Sequence, residues 1–133
     1  MKDKVKVVID TNILVSALWS ENGNPSAIIK MIPDGITPVF NDQIFDEYSE
    51  VLSRPRFSFS TYKRERLLEK IREYGEIVVP EKSDMPMLDE TDRIFYDTAT
   101  ASSATLITGN IKDYPDEPFV MTAAEFLRIM DNE

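Results

Sequence analysis

Apolar residues along this chain alternate between two spacings. Val5, Val7, Val8 and Ile9 form a short β-branched run, which suits a strand buried on both faces of a parallel sheet. The run stops at Asp10-Thr11-Asn12, after which Ile13, Leu14, Ala17 and Leu18 recur at helical spacing. Asn24-Pro25 reads as an N-cap followed by proline at the first helical position, opening a short helix through Ile28, Ile29 and Met31. Pro33-Asp34-Gly35 is a turn. Thr37 to Phe40 is a second strand, and Asn41 or Asp42 caps a helix from Gln43 to Ser53 that Arg54-Pro55 ends. A further helix runs from Ser60 or Thr61 to Tyr74 and closes on Gly75 as C-cap.

The later half repeats the alternation. Glu76 to Val79 is a third strand, residues 80–89 form a proline-containing loop, and a helix follows from Asp92 to Ser102 with Thr91 as its N-cap. Thr105 to Thr108 is a fourth strand ending in Gly109-Asn110, and Phe119 to Met121 a small fifth. Thr122-Ala-Ala-Glu125 is a capping box opening the last helix. Strands alternating with helices predict a three-layer α/β/α sandwich around a mainly parallel sheet of four to five strands, with one crevice at the strand C-termini. No repeat or linker interrupts the pattern, so residues 1–133 are expected to form one domain.

Composition narrows the chemistry. The chain has neither cysteine nor histidine, which removes thiolate and imidazole catalysis, disulfides and the usual zinc sites. Carboxylates, hydroxyls, amides and basic side chains remain, and carboxylate-rich sites suit Mg2+ or Mn2+. A net charge of −9 argues against a non-specific nucleic-acid coat. Seven of the fifteen basic residues nevertheless fall between Arg54 and Arg72, a stretch that is either a solvated helix face or a phosphate contact. No apolar run approaches a membrane span, and the chain enters its first strand at once. A cytoplasmic protein without a leader is therefore expected.

Several acids could meet at the predicted crevice. Asp10 ends a buried strand, where open α/β sheets place ligands, although Asp10 or Asn12 could equally cap the next helix. Glu47 sits at the margin of the apolar arc formed by Ile44, Phe45, Tyr48, Val51 and Leu52, whereas Glu50 lies on the solvent side. Asp92 falls in the first turn of a helix following a strand, a position that the helix dipole alone could explain. Asp97 is the weaker candidate, on the opposite flank, and Asp89 lies in a loop. The fourth strand ends much as the first does, at Thr108-Gly109-Asn110, with Asp113 three residues on.

Taken together, these residues resemble the PIN domain. The likeness rests on Val-Ile-Asp10-Thr-Asn, on Glu47 before Glu50-Val-Leu, on Asp92-Arg-Ile-Phe-Tyr with Ala99, and on Leu-Ile-Thr-Gly109-Asn110. The segment Leu52-Ser-Arg54-Pro55-Arg-Phe is similar to the VapC-like toxins of toxin–antitoxin systems. The resemblance implies a ribonuclease holding one or two Mg2+ or Mn2+ ions, with Asp10, Glu47 and Asp92 at the family's three core acids. The fourth acidic position falls on Asn110, a departure, and Asp113 is the candidate for the missing charge. Thr11, Asn12 and Thr108 would orient the ligands through hydroxyls and amides.

The residues themselves are compatible with that chemistry. Carboxylate-held metals can activate water and neutralise charge at phosphorus without histidine. A narrow acidic crevice is best entered by an unpaired strand, so single-stranded RNA is the expected substrate. Arg54, Arg56, Lys63 and Arg64 would guide its backbone, and Tyr48, Phe57 and Tyr62 are candidates for stacking or for ordinary packing. A cognate antitoxin and a homodimer are the expected protein partners. Two other readings stand beside this one: a PIN-like binding module weakened catalytically by Asn110, and a phosphatase-like α/β domain with an aspartate nucleophile. The second would want an acid where Asn12 stands.

Overall fold

The computed structural model describes residues 4–132; the expected domain also includes residues 1–3 and 133, which lie outside them. Five strands, β1 (Val5–Ile9), β2 (Ile36–Phe40), β3 (Glu76–Ile77), β4 (Thr105–Ile107) and β5 (Val120–Met121), form one sheet in the order β3-β2-β1-β4-β5. Every pairing is parallel. Among the described residues there are also six helices: α1 (Thr11–Trp19), α2 (Asn24–Lys30), α3 (Asp42–Leu52), α4 (Thr61–Tyr74), α5 (Arg93–Ser102) and α6 (Ala123–Asp131). Three short 3-10 turns, at Pro55–Phe57, Glu90–Asp92 and Ile111–Asp113, were not legible as periodic segments.

Topology fixes where a ligand could sit. The chain steps from β1 to β2 to β3 in one direction, through α1, α2, α3 and α4, and then returns across the sheet to β4 through α5. Right-handed crossovers put connections that step in opposite directions on opposite faces. Helix α5 accordingly packs across β1, β2 and β4, while α1 and α2 pack on each other and α2 on α6. The order reverses between β1 and β4, so the crevice at their C-terminal ends is the switch point of the sheet. The core is continuous through it, with Val7, Val8 and Ile9 of β1 and Leu106 and Ile107 of β4 buried between the layers.

Several element boundaries differ from the sequence expectation for local reasons. Asn24 lies inside α2 and Gly23 holds the cap position. Thr91 is not the N-cap of α5. The Asp89 carboxylate accepts from the Thr91 amide at 2.9 Å and from its hydroxyl at 2.8 Å, starting a 3-10 turn one step earlier. Gly75 does follow α4, but in extended rather than left-handed backbone (φ −87°, ψ 170°). It is required by space: a Cβ there would lie 2.4 Å from the Ile71 carbonyl oxygen and 2.6 Å from Phe40 Cε1. The left-handed cap is at Ser103, after α5, with φ 56°.

Candidate active site

The β1–β4 pairing builds the centre of the site. Ile9 lies opposite Ile107, and the Asp10 amide donates to the Ile107 carbonyl at 2.9 Å, carrying the pairing one residue past β1. This sets Asp10 beside Thr108, whose hydroxyl donates to Asp10 Oδ2 at 2.8 Å. Tyr114 donates to the same oxygen at 2.9 Å. Asn12 Oδ1 accepts from the Gly109 amide at 3.0 Å and so ties the two strand-end turns together. Asp10 makes no side-chain cap bond to α1. Its side-chain hydrogen bonds run across the sheet to Thr108 and Tyr114, and the nearby Asn12 amide also favours its charged form.

Glu47 reaches the same region from α3. Asn41, buried at the end of β2, caps α3 by accepting from the Ile44 amide at 3.1 Å, and its amide donates to the Val78 carbonyl and Thr98 hydroxyl. Tyr48 is buried in the core with its hydroxyl on the Ile9 carbonyl. These anchors hold α3 against the end of β1 and place Glu47, one residue earlier, where Thr11 donates to its Oε2. Glu50 is exposed and pairs with Arg54 at 2.8 Å. Glu47 therefore faces the protein body and Glu50 the solvent.

Electrostatics link these acids to Asp92 at the start of α5. Burial, and then the charges of Asp10, Asp89, Asp113 and Glu47, push the Asp92 carboxyl up to about 7. Burial also raises Asp10, against the lowering effect of its bonds from Thr108 and Tyr114, with Asp113 adding a further raising charge. Glu47 is raised chiefly by burial, offset by Thr11 and reinforced by Asp10. Asp10 thus acts on both Glu47 and Asp92, and like charges this near one another disfavour their ionised forms. Among the described residues, no group of three or more acidic side chains is drawn together tightly enough to chelate an ion as it stands. The donor chemistry nonetheless fits a hard divalent cation, whose charge would relieve the mutual repulsion.

The remaining candidates divide between this centre and the loop before α5. Asn110 donates through its side-chain amide to Asp113 Oδ1 at 3.1 Å. Asp97 is turned elsewhere: it is buried and accepts from the Ser83 amide and hydroxyl at 2.9 and 2.5 Å. Arg93 holds the same loop through the Ser83 carbonyl at 2.9 Å while pairing with Glu90. Tyr114 is the site residue that sequence reasoning missed, because it sits in a polar loop with no periodicity. A groove of about 870 Å³, lined by Leu18, Ile29, Tyr62, Leu67 and Tyr74 among others, lies apart from the acids.

Comparison with known proteins agrees with this architecture. A family model described as "PIN domain" matches residues 6–112. The chain belongs to the PIN domain family. An uncharacterised protein of Methanocaldococcus jannaschii, MJ1680, is 31% identical over 113 residues, covering 82% of this chain and 73% of its own. This PIN domain is also similar to the crystal structure of VapBC2 from Rickettsia felis bound to a DNA fragment from their promoter. That match has a TM-score of 0.59 at 18% identity, covering 89% of this chain and 97% of the other. PAE2754 from Pyrobaculum aerophilum matches with a TM-score of 0.56 at 17% identity over 97% and 91% of the two chains. VapBC-1 from nontypeable Haemophilus influenzae matches with a TM-score of 0.53 at 17% identity, over 96% and 94%. These likenesses show a shared PIN fold. No helix among the described residues is long and apolar enough to cross a membrane.

Proposed function

We propose that this PIN domain is an endoribonuclease that cleaves single-stranded RNA with Mg2+ or Mn2+ and serves as the toxin of a toxin–antitoxin pair. One observation carries the reading: at the sheet's switch point Thr108 and Tyr114 hold Asp10 and Thr11 holds Glu47, and burial and then the charges of Asp10, Asp89, Asp113 and Glu47 push the Asp92 carboxyl up to about 7. Asp10, Glu47 and Asp92 would hold the metal, with Asp113 adding charge. The ion would supply a nucleophilic water near neutral pH and neutralise charge building on the phosphate.

The chain's own groups prepare that site. Thr108 and Tyr114 hold Asp10 Oδ2 from two directions, and Thr11 holds Glu47. Asp10 and Glu47 are therefore held in a fixed orientation, which is how outer hydrogen bonds raise metal affinity. The basic residues Arg54, Arg56, Lys63 and Arg64 lie outside the acid cluster, where they would meet phosphates. A protein antitoxin, a homodimer and a cytoplasmic setting belong to the same proposal. They rest on the likeness of the Leu52–Phe57 segment to toxin components and on two neighbours that carry the name VapBC.

One observation favours a second reading. Asn110 stands at the family's fourth acidic position and is engaged with Asp113, which fits a binding module of low catalytic power. Incubating single-stranded RNA with the wild type and with Asp92→Asn, in Mn2+ and in EDTA, separates the two. The nuclease reading expects cleavage only for the wild type in metal. Equal cleavage in EDTA, or full activity in Asp92→Asn, overturns it, and no cleavage in any metal leaves the binding module.

A further inference from the structure

Trp19, the chain's single tryptophan, is the last residue of α1 and stands 64% exposed. An exposed indole forgoes the burial that normally stabilises so large an apolar side chain. It is not loose, however. Phe57 and Phe59, both partly buried, stack on each other with ring centroids 5.3 Å apart and 15° between planes. Trp19 meets both edge-on, at 5.3 Å and 6.0 Å. The Arg56 guanidinium lies 4.9 Å from the centre of the Phe57 ring. A fixed aromatic cluster with one large ring presented to solvent is thus edged by cationic charge.

The surrounding charge runs against the rest of the molecule. Between residues 54 and 66 the chain carries Arg54, Arg56, Lys63, Arg64 and Arg66 against the single acid Glu65, within a protein of net charge −9. Among the described residues, neither Arg56 nor Lys63 takes part in an ion pair. The cluster is also connected to the acid crevice along two paths. Helix α1 begins at Thr11, beside Glu47, and ends at Trp19, about 12 Å along its axis at about 1.5 Å per residue. That is about the reach of three or four stacked nucleotides. Along the other path, Arg54 feels the charge of Glu47 and lies three residues before Phe57.

We propose that the Trp19–Phe57–Phe59 cluster is a stacking site for a base of single-stranded nucleic acid, with Arg56 and Lys63 meeting the adjoining phosphates. The identity of the strand as substrate rests on the nuclease reading above. Stacking accepts any base, because every base has a π face, and adjacent cations follow the backbone. The site therefore adds affinity for unpaired strands without selecting a sequence, and duplexes, whose bases are already stacked, gain nothing from it.

The single tryptophan makes the test direct. Emission is followed while short, cleavage-resistant 2′-O-methyl oligoadenylate is added in EDTA, with binding read independently by anisotropy of a fluorescein-labelled copy. The expected result is saturable quenching that tracks the anisotropy, is weaker for a duplex and declines with salt. Trp19→Ala should raise the Kd by about five- to a hundredfold, with Trp19→Phe retaining most of the affinity. Arg56→Ala should lower the salt slope by about 0.7. In the RNA cleavage assay, Trp19→Ala should raise KM more than it lowers kcat. Constant emission while the labelled strand binds, as expected if the cluster instead serves a protein contact, overturns the proposal. So does an unchanged Kd in Trp19→Ala. Either result, with metal-dependent cleavage intact, leaves the nuclease reading standing; loss of cleavage in wild type would count against that reading instead.

Discussion

The Tyr114 hydroxyl donates to Asp10 Oδ2 at 2.9 Å, joining residues 104 positions apart. The phenol is buried, and both burial and the nearby Asp10 charge hold its proton firmly on the oxygen. It is therefore a donor throughout the working pH range. Donors to a carboxylate favour its charged form, so Tyr114 opposes the rise that burial imposes on Asp10. Replacing Tyr114 by Phe keeps the ring and removes this donor. We expect Mn2+ affinity and kcat/KM to fall by about ten- to a hundredfold, and stability at pH 8 to fall by about 1.5–3 kcal/mol. Calorimetric Mn2+ titration and urea unfolding measure the two effects. Thr108→Val should act similarly, and the double variant should not be additive, since both groups serve one oxygen.

Folding stability without metal should decline with rising pH. Asp92 titrates near 7 in the fold, against an ordinary 3.8, so folding favours its protonated form. The stability this contributes is fully present below 3.8 and is lost as pH rises through about 7. Asp10 and Glu47 are raised too and act in the same sense. In EDTA, the wild type should therefore be more stable at pH 5.5 than at pH 8. Because Asp92 is only partly buried, solvent screening keeps its share on the order of 1–2 kcal/mol. Asp92→Asn should flatten the profile. Saturating Mn2+ should reverse it, adding about 2.7 kcal/mol at a hundredfold excess over Kd. A profile unchanged by Asp92→Asn would show that the acids do not interact as described.

Much of this architecture could be read from residue order, and the reason is physical. The β-branched run ending in Asp10 and the strand ending in Thr108-Gly109 are local signals, and parallel pairing then brings their ends together. Asn41 and the Thr122–Glu125 capping box are likewise decided within a turn of helix. Tyr114, Gly75 and the Trp19 cluster are decided by distant contacts. Tyr114 owes its role to Asp10 on another strand, and Gly75 to the neighbouring Phe40 ring. Trp19 gains its support only when α1 meets the turn after α3. Asp97 shows the reverse case: an acid in an active-looking helix whose partner, Ser83, lies in the preceding loop.

Two backbone positions should respond in opposite ways. A Cβ on Gly75 would stand 2.4 Å from the Ile71 carbonyl oxygen and 2.8 Å from that of Pro38, so main chain would have to move. Gly75→Ala should cost about 1–3 kcal/mol, the usual range for overpacking. Ser103, exposed and left-handed with φ 56°, carries a conformational penalty that glycine would not. Ser103→Gly should raise stability by about 0.5–1 kcal/mol. Chemical denaturation at one pH compares both. If Gly75→Ala proves as stable as the wild type, the packing at the β2–α4 junction is looser than described.

Asn110 offers the sharpest test of how charge is balanced at the crevice. Its side-chain amide donates to Asp113 Oδ1 at 3.1 Å, so one of the neighbouring acids is partly compensated by a neutral group. Asn110→Asp converts that donor into another carboxylate. Without metal, the new charge would add to the repulsion already acting on Asp92 from Asp10, Asp89, Asp113 and Glu47. The variant should thus be less stable than the wild type at pH 8 in EDTA, and the deficit should shrink at pH 5.5 as the acids take up protons. With metal present the order should reverse, because an additional anionic oxygen strengthens cation binding. Mn2+ should bind more tightly to Asn110→Asp and raise its melting temperature by more than it raises that of the wild type. RNA cleavage should rise as well if the fourth position limits turnover. Melting curves with and without Mn2+ at the two pH values read all of this at once. A variant that loses stability without gaining metal affinity would show that Asn110 serves only to hold Asp113.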